Sequence, residues 1–330
     1  MQKPILLFAL PLGILLSWAA PLNGLPHPSC TYSPNGEIVL HGENLYDPDV
    51  EKLLDCKKVP KLRIPSNFDV YQVPTAVKSI DLGCSRRCVP SEYCARLETG
   101  FLPLPARPEL TSVQFSGFEG PLPFGWFLAN VKDHLTTLKI GCTPIGHLDA
   151  DALRGFSALT RLDLKHAQIS TIDPIAFANL GASPSKLASV SLGGNSLQEI
   201  DLSWFEPVKE SLTDLEASYQ KPPMSSLKLS GPEFQLALKT LDVVKNGLRV
   251  IPPEVLKAIR PRPGASTHFA FQSNGLCREM DCSCCAMEGF MRWAVGIQSA
   301  ANKVTFECVY TVEDPSVYVP DQLYQNCGAK

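Results

Sequence analysis

Apolar and polar positions recur in one frame through the middle of the chain. The stretch Leu187–Ile200, LASVSLGGNSLQEI, shows it most fully. Counting from Leu187, apolar residues stand at positions one, four, six, eleven and fourteen: Leu187, Val190, Leu192, Leu197 and Ile200. Asn195 stands at nine. The first half alternates with period two, as a strand does, and the second half does not. The chain must therefore turn at Gly193-Gly194-Asn195, where glycine reaches backbone angles that other residues avoid. A strand, a turn and a returning segment with its apolar side inward make one coil of a solenoid.

The frame repeats. Leu238, Leu241, Val243, Asn246, Leu248 and Ile251 fill all six positions. Leu159, Leu162, Leu164, Ile169 and Ile172 fill five, with Ala167 at nine. Leu135, Leu138, Ile140, Ile145 and Leu148 also fill five, with Thr143 at nine. Ser266, Phe269, Phe271, Asn274 and Leu276 fit a shorter last copy. Leu110, Val113 and Phe115 fit the strand half alone, as do Leu212, Leu215 and Ala217. Starts at 110, 135, 159, 187, 212 and 238 give steps of 25, 24, 28, 25 and 26.

A period in the twenties with these positions resembles the leucine-rich repeats, in their typical extracellular subtype. Leu153, Phe177 and Phe205 fit the place near position nineteen where Phe or Leu closes that subtype's coil. The resemblance covers about residues 77–330. The fold expected is an α/β solenoid, a leucine-rich repeat horseshoe with a parallel concave β-sheet and disulfide-bonded terminal caps. One coil alone buries too little to offset its ordering entropy. Stacking coils at about 4.8 Å lets their strands pair and buries both faces of each apolar layer. An amide at position nine can satisfy turn groups that would otherwise be buried without partners.

The flanks are read as follows. Residues 1–20 carry Lys3, an apolar run from Ile5 to Leu16, and small residues at Ser17 and Ala19. That is the pattern of a secretory signal, too short for a membrane span. Twelve cysteines in a secreted chain read as disulfides: Cys30, Cys56, Cys84, Cys88, Cys94, Cys142, Cys277, Cys282, Cys284, Cys285, Cys308 and Cys327. Residues 21–76 read as an N-terminal cap with Cys30–Cys56 as its suggested bridge. It departs from the family's usual cap, which clusters four cysteines. Residues 77–109 read as a first repeat, beginning at Val77, with a Cys/Pro-rich insertion after Cys84. Cys84 and Cys142 fall two coils apart, roughly 10 Å by strand spacing, beyond the Cα reach of a disulfide. Cys88 or Cys94 is the better partner for Cys142.

Residues 110–276 are the repeats. Gly181–Lys186, Tyr219–Met224 and Arg260–Gly264 read as tolerated insertions, with a proline-motif docking site as the sharper alternative. Residues 277–330 resemble the cysteine-rich C-terminal flanking cap of extracellular repeat proteins. Met287, Phe290, Met291, Ala294 and Ile297 give a helix one apolar face with which to cover the last coil, with Trp293 near its rim. The resemblance implies Cys282–Cys308 and Cys284–Cys327. Cys277 and Cys285 are extra to it, and a zinc site from Cys277, Cys282, Cys284 and Cys285 is the alternative.

Composition and motifs narrow the function. A net charge of -3 gives no broad basic field for nucleic acid. No HExxH, GxSxG, phosphate-cradling loop or kinase signature occurs, so no enzyme activity, cofactor, metal or small-molecule substrate is expected. No Asn-X-Ser/Thr acceptor occurs either. Positions three, five, seven and eight of each coil should project from the concave sheet. They supply the candidate protein-binding residues Lys139, Arg161, Asp163, Lys165, His166, Asp214, Glu216, Tyr219, Asp242 and Lys245. Asp163, Glu216 and Asp242 share position five, and Asp81 does so in the first repeat. The coil at Leu187 between the charged coils is small and flat.

Eight strands would make a face roughly 35–40 Å long, near the area one protein partner needs. The sequence thus predicts a secreted, extracellular, non-enzymatic protein-binding module with a protein ligand or receptor, no nucleic acid and no membrane span. The chain also resembles the repeat-type non-catalytic subunits of secreted arthropod enzymes. That likeness implies the alternative of a stabilising subunit in a secreted enzyme complex.

Overall fold

The residues placed at positions one, four and six of each coil form the interior. Leu135, Leu138 and Ile140 are buried, as are Leu159, Leu162 and Leu164, then Leu187, Val190 and Leu192, then Leu238, Leu241 and Val243. The computed structural model describes residues 106–117, 124–181, 184–274 and 288–306, preceded by the backbone of Glu37–Val39, Lys61–Ile64 and Ser79–Gly83.

Eleven strands form one sheet whose order follows the chain, and every pairing in it is parallel. They are Glu37–Val39, Lys61–Ile64, Ser79–Gly83, Ser112–Ser116, Thr137–Gly141, Arg161–Asp163, Ser189–Ser191, Asp214–Glu216, Thr240–Asp242, Thr267–Ala270 and Asn302–Thr305. Position three stays in register from strand to strand: Ser112, Thr137, Arg161, Ser189, Asp214, Thr240 and His268 are successive partners. Three strands lie outside the eight read from the repeat. Glu37–Val39 and Lys61–Ile64 fall within the segment read as a cap, and Asn302–Thr305 lies beyond the last repeat. The step from Lys61 to Ser79 is too short for the frame, and Val304 is the buried residue of Asn302–Thr305.

The opposite side is built from short pieces. Two-stranded parallel pairs join His147–Leu148 to Thr171–Ile172, Glu199–Asp201 to Ser226–Lys228, and Leu236–Leu238 to Ile259–Pro261. Between them lie 3-10 turns at Ala178–Leu180 and Leu202–Val208 and a helix at Pro253–Ala258. Leu153, Phe177 and Phe205 are buried there, with the two rings 4.9 Å apart.

A column of amides at position nine locks each of the four coils that begin at Leu187, Leu212, Leu238 and Ser266 to the one before it. Asn195 accepts from the N–H groups of Ala167 at 2.9 Å and Ile169 at 3.1 Å, and donates to the carbonyls of Leu164 at 2.8 Å and Leu192 at 2.7 Å. Asn246 accepts from Gln220 N–H at 3.1 Å and donates to the carbonyls of Ala217 and Val243. Asn274 repeats the pattern on Leu248, Val243 and Phe271. In the Leu212 coil the place belongs to Gln220, which accepts from Leu197 N–H at 3.1 Å and donates to the carbonyls of Leu192 and Ala217.

The C-terminal end is covered by a helix, Glu288–Ile297, whose Phe290, Met291 and Ala294 are buried. Trp293, read from sequence as a rim residue, lies parallel to Phe269 at 5.9 Å and edge-on to Phe271 at 6.0 Å. Its indole N–H donates to the Ile259 carbonyl at 3.4 Å.

Cys142 is disulfide-bonded. The other eleven cysteines lie outside the described residues, and with them the suggested pairings, the zinc alternative, the signal segment and the insertion after Cys84. Among the described residues no helix is long and apolar enough to cross a membrane, and no group of three or more His, Cys, Asp or Glu side chains could hold a metal ion.

Candidate functional site

The strands Thr137–Gly141 to Thr240–Asp242 bring the predicted residues onto one side of the sheet. Lys139, Asp163, Ser191, Glu216 and Asp242 occupy the same level on successive strands. Arg161 and Asp214 share the level of position three, one strand to either side of Ser189. The acids do different work. Asp163 accepts from Lys165 N–H at 3.3 Å and Asp242 from Val244 N–H at 3.0 Å, so both cap the turn two residues on. Arg161 stands 4.0 Å from Asp163.

Glu216 reaches instead across the sheet. Its carboxylate lies over Gly193 of the preceding coil and meets the Lys165 ammonium, from two coils away, at 3.0 Å. Ser218 donates its hydroxyl to the same carboxylate. Gly193 of the middle coil makes this bridge possible, and Gly194 makes room for His166. A Cβ on Gly193 would collide with Glu216, and one on Gly194 with the His166 ring. Ser191, Gly193 and Ser218, expected to project into solvent, are consequently buried. Lys165 is the looser partner, its side chain 44% exposed against 17% for Glu216. An ion pair of that exposure is worth at most about 1 kcal/mol.

A second feature runs along the edge of this face. The residues at position eight, Gly117, Cys142, His166, Gly194, Tyr219, Lys245 and Ser273, all have positive φ, between 53° and 77°. Their N–H groups still extend the sheet ladder: His166 donates to Gly193, Tyr219 to Val244 and Lys245 to Gln272, at 2.9–3.0 Å. The chain must then reverse at once so that position nine can enter the core. The left-handed conformation is free to glycine but costs other residues roughly 1–2 kcal/mol. Tyr219 is 47% exposed, with the Lys245 ammonium 4.8 Å from its ring centroid.

Sequence reasoning missed Gln220, which differs from Asn by one methylene and sits at position nine of its coil. It also missed the left-handed column, which only the glycines at 117 and 194 announce. The Arg260–Gly264 segment, read as an insertion or a docking motif, is partly structural. Ile259–Pro261 pairs with Leu236–Leu238, and the Arg262 guanidinium donates to the carbonyls of Ala237, Glu210 and Leu212 at 3.3–3.5 Å.

A family model, "Leucine rich repeat", matches residues 133–183. Among solved structures, the fold is similar to the crystal structure of human 5T4 (Wnt-activated inhibitory factor 1, trophoblast glycoprotein). The identity is 17% and the TM-score 0.52, over 77% of this chain and 90% of that one. It also matches the Toll–Spatzle complex of Drosophila at 12% identity and a TM-score of 0.39, over 72% of this chain and 40% of that one. A search of curated proteins finds no match.

Proposed function

We propose that this leucine-rich repeat solenoid is a secreted, non-enzymatic module that binds another protein on its concave sheet, between Thr137 and Lys245. The observation that carries the reading is the left-handed column. His166, Tyr219 and Lys245 occupy positions where glycine or asparagine would be easier, at the edge of an open sheet. Conformational cost of this kind is retained where a side chain must be displayed, and it clusters at ligand sites. The face between them is charged on both sides of a covered middle coil, an arrangement that favours a partner of complementary pattern over an unrelated one. Secretion is supported by the apolar run after Lys3 and by the disulfide at Cys142. Disulfide-bonded caps at 21–76 and 277–330 and the ten-residue binding set belong to the same proposal.

Reversing charge at both ends of the middle coil tests it. Arg161→Glu combined with Asp214→Lys is expected to reduce capture of the partner from the source fluid about tenfold, the equivalent of about 1.4 kcal/mol. The melting temperature should not move, because Arg161 is exposed and Asp214 half-buried. Unchanged capture would count against a concave-face site. Recovery of the native protein in constant ratio with a catalytic chain would instead make it the stabilising subunit of a secreted enzyme.

A further inference from the structure

The geometry points to a second contact beside the sheet: a rigid prong, Tyr219 with Lys221-Pro222-Pro223, that inserts into an apolar pocket bordered by carboxylates on the protein partner. The inference rests on the reading of this chain as a protein-binding module and names the chemistry of the surface it meets.

The prong arises where the Leu212 coil outgrows its frame. Met224 and Leu227 are the buried residues of its returning half, standing two places later than positions eleven and fourteen. The extra residues are held at both ends. Gln220 is 2% exposed and hydrogen-bonded to Leu197, Leu192 and Ala217. Lys221 N–H donates to the Asn195 carbonyl at 2.7 Å, and the Met224 carbonyl accepts from Gly247 N–H at 2.7 Å. Lys221, Pro222 and Pro223 are nonetheless exposed. Pro223 packs on the bare backbone of Gly247 in the next coil.

An exposed segment fixed this closely loses little freedom on binding, which is where affinity is usually spent. Its exposed side chains are one aromatic and two prolines flanked by two ammonium groups, Lys221 and Lys245, and no acid. A buried tyrosine is a frequent centre of binding energy, and the Lys245–Tyr219 contact strengthens in a desolvated setting. The cations select a pocket whose border is acidic.

A library of random disulfide-looped peptides displayed on phage, selected on the immobilised full chain, tests this. Enriched peptides are expected to carry aromatic or aliphatic residues flanked by Asp or Glu. Their binding should fall about tenfold or more with Tyr219→Ala, as for an aromatic anchor. It should fall about threefold or more with Lys245→Glu and stay within about twofold with Arg161→Glu, a position away from the prong. All variants should melt with the parent, since these side chains are exposed. Peptides that bind Tyr219→Ala and Pro223→Ser as tightly as the parent overturn the prong. If those same peptides are lost with Arg161→Glu, the concave-sheet reading stands without it. If neither substitution matters, both readings fall. Enrichment of basic peptides overturns the charge assignment. Retention of the parent but not Tyr219→Ala on a glycan matrix, with no peptide enriched, makes the site carbohydrate-binding and overturns the proposal.

Discussion

Two columns of residues, adjacent in every coil, divide the work of this molecule. Position nine points inward. Asn195, Gln220 and Asn246 are buried, and each side chain satisfies several backbone groups of its own coil and the one before. Position eight points outward. His166, Tyr219 and Lys245 are exposed, in a conformation their side chains resist. One column lowers the energy of the fold and the other raises it. Neighbouring residues can thus be chosen by opposite criteria, provided the backbone turns sharply between them. The N-terminal coils show what the amides replace. Where Ala167 stands in place of asparagine, Ile145 N–H is satisfied by the Ala167 carbonyl itself at 2.8 Å. Where Thr143 stands, its hydroxyl donates back to Gly141 at 3.1 Å.

Substitutions can break or sharpen this contrast. The largest effect is expected from Asn195→Ala, which strands two N–H groups and the Leu164 carbonyl in the interior and leaves the Leu192 carbonyl to Gln220 alone. At about 1–3 kcal/mol per unsatisfied group, with some compensation by water, the loss in urea unfolding should be roughly 3–5 kcal/mol. Gln220→Ala strands Leu197 N–H and relieves two carbonyls of one donor, and should cost roughly 2–3 kcal/mol by the same measurement. A loss under 1 kcal/mol for either would remove the amide column from the account.

Asp201 comes next. Burial alone would push its carboxyl up, but hydrogen bonds from Ser230 and Ser203 outweigh that and hold it below the usual carboxylate range. It ties the Leu202–Val208 turn to the following coil through Ser203 N–H at 2.9 Å and Ser230 N–H at 3.0 Å. A carboxyl depressed in the folded state stabilises above its unfolded pKa, near 3.9, and loses that contribution as pH falls through the folded value. Asp201→Ala should therefore cost about 1–2 kcal/mol at neutral pH, with the difference from the parent shrinking below about pH 4. A difference that stays constant from pH 7 to pH 2 would show the carboxylate is not ionised in that role.

Gly193→Ala should have a smaller effect on stability than either amide, about 1–2 kcal/mol, because displacing Glu216 breaks a half-exposed ion pair and the hydrogen bond from the Ser218 hydroxyl. Lys165 should then respond to a change of salt no differently from other surface lysines. That can be followed by the chemical shift of its side-chain ammonium.

Much of this was legible in the sequence. Alternation at Val190-Leu192 and Leu241-Val243 gave strand register to the residue, because a shift by one would turn every apolar side chain to solvent. The helix face of Phe290, Met291 and Ala294 was equally plain. Gln220 escaped because the frame demanded asparagine and the returning half of its coil is displaced. Lys61–Ile64 and Glu37–Val39 escaped because they lie among polar, proline-broken sequence without the returning half of a coil. The Lys165–Glu216 bridge depends on Gly193 in a third coil, and no pattern within one coil records it. Nothing in the letters His, Tyr or Lys announces a positive φ.

The melting temperature of Tyr219→Gly tests the division between the columns most directly. Glycine adopts the left-handed conformation without the roughly 1–2 kcal/mol penalty, and loses about 0.5–1 kcal/mol through its freer unfolded chain. At about 2–4 °C per kcal/mol for a domain of this size, the variant should melt at the parent's temperature or up to about 4 °C above it. A fall of about 4 °C or more would show that Tyr219 holds the fold together and is not merely displayed by it.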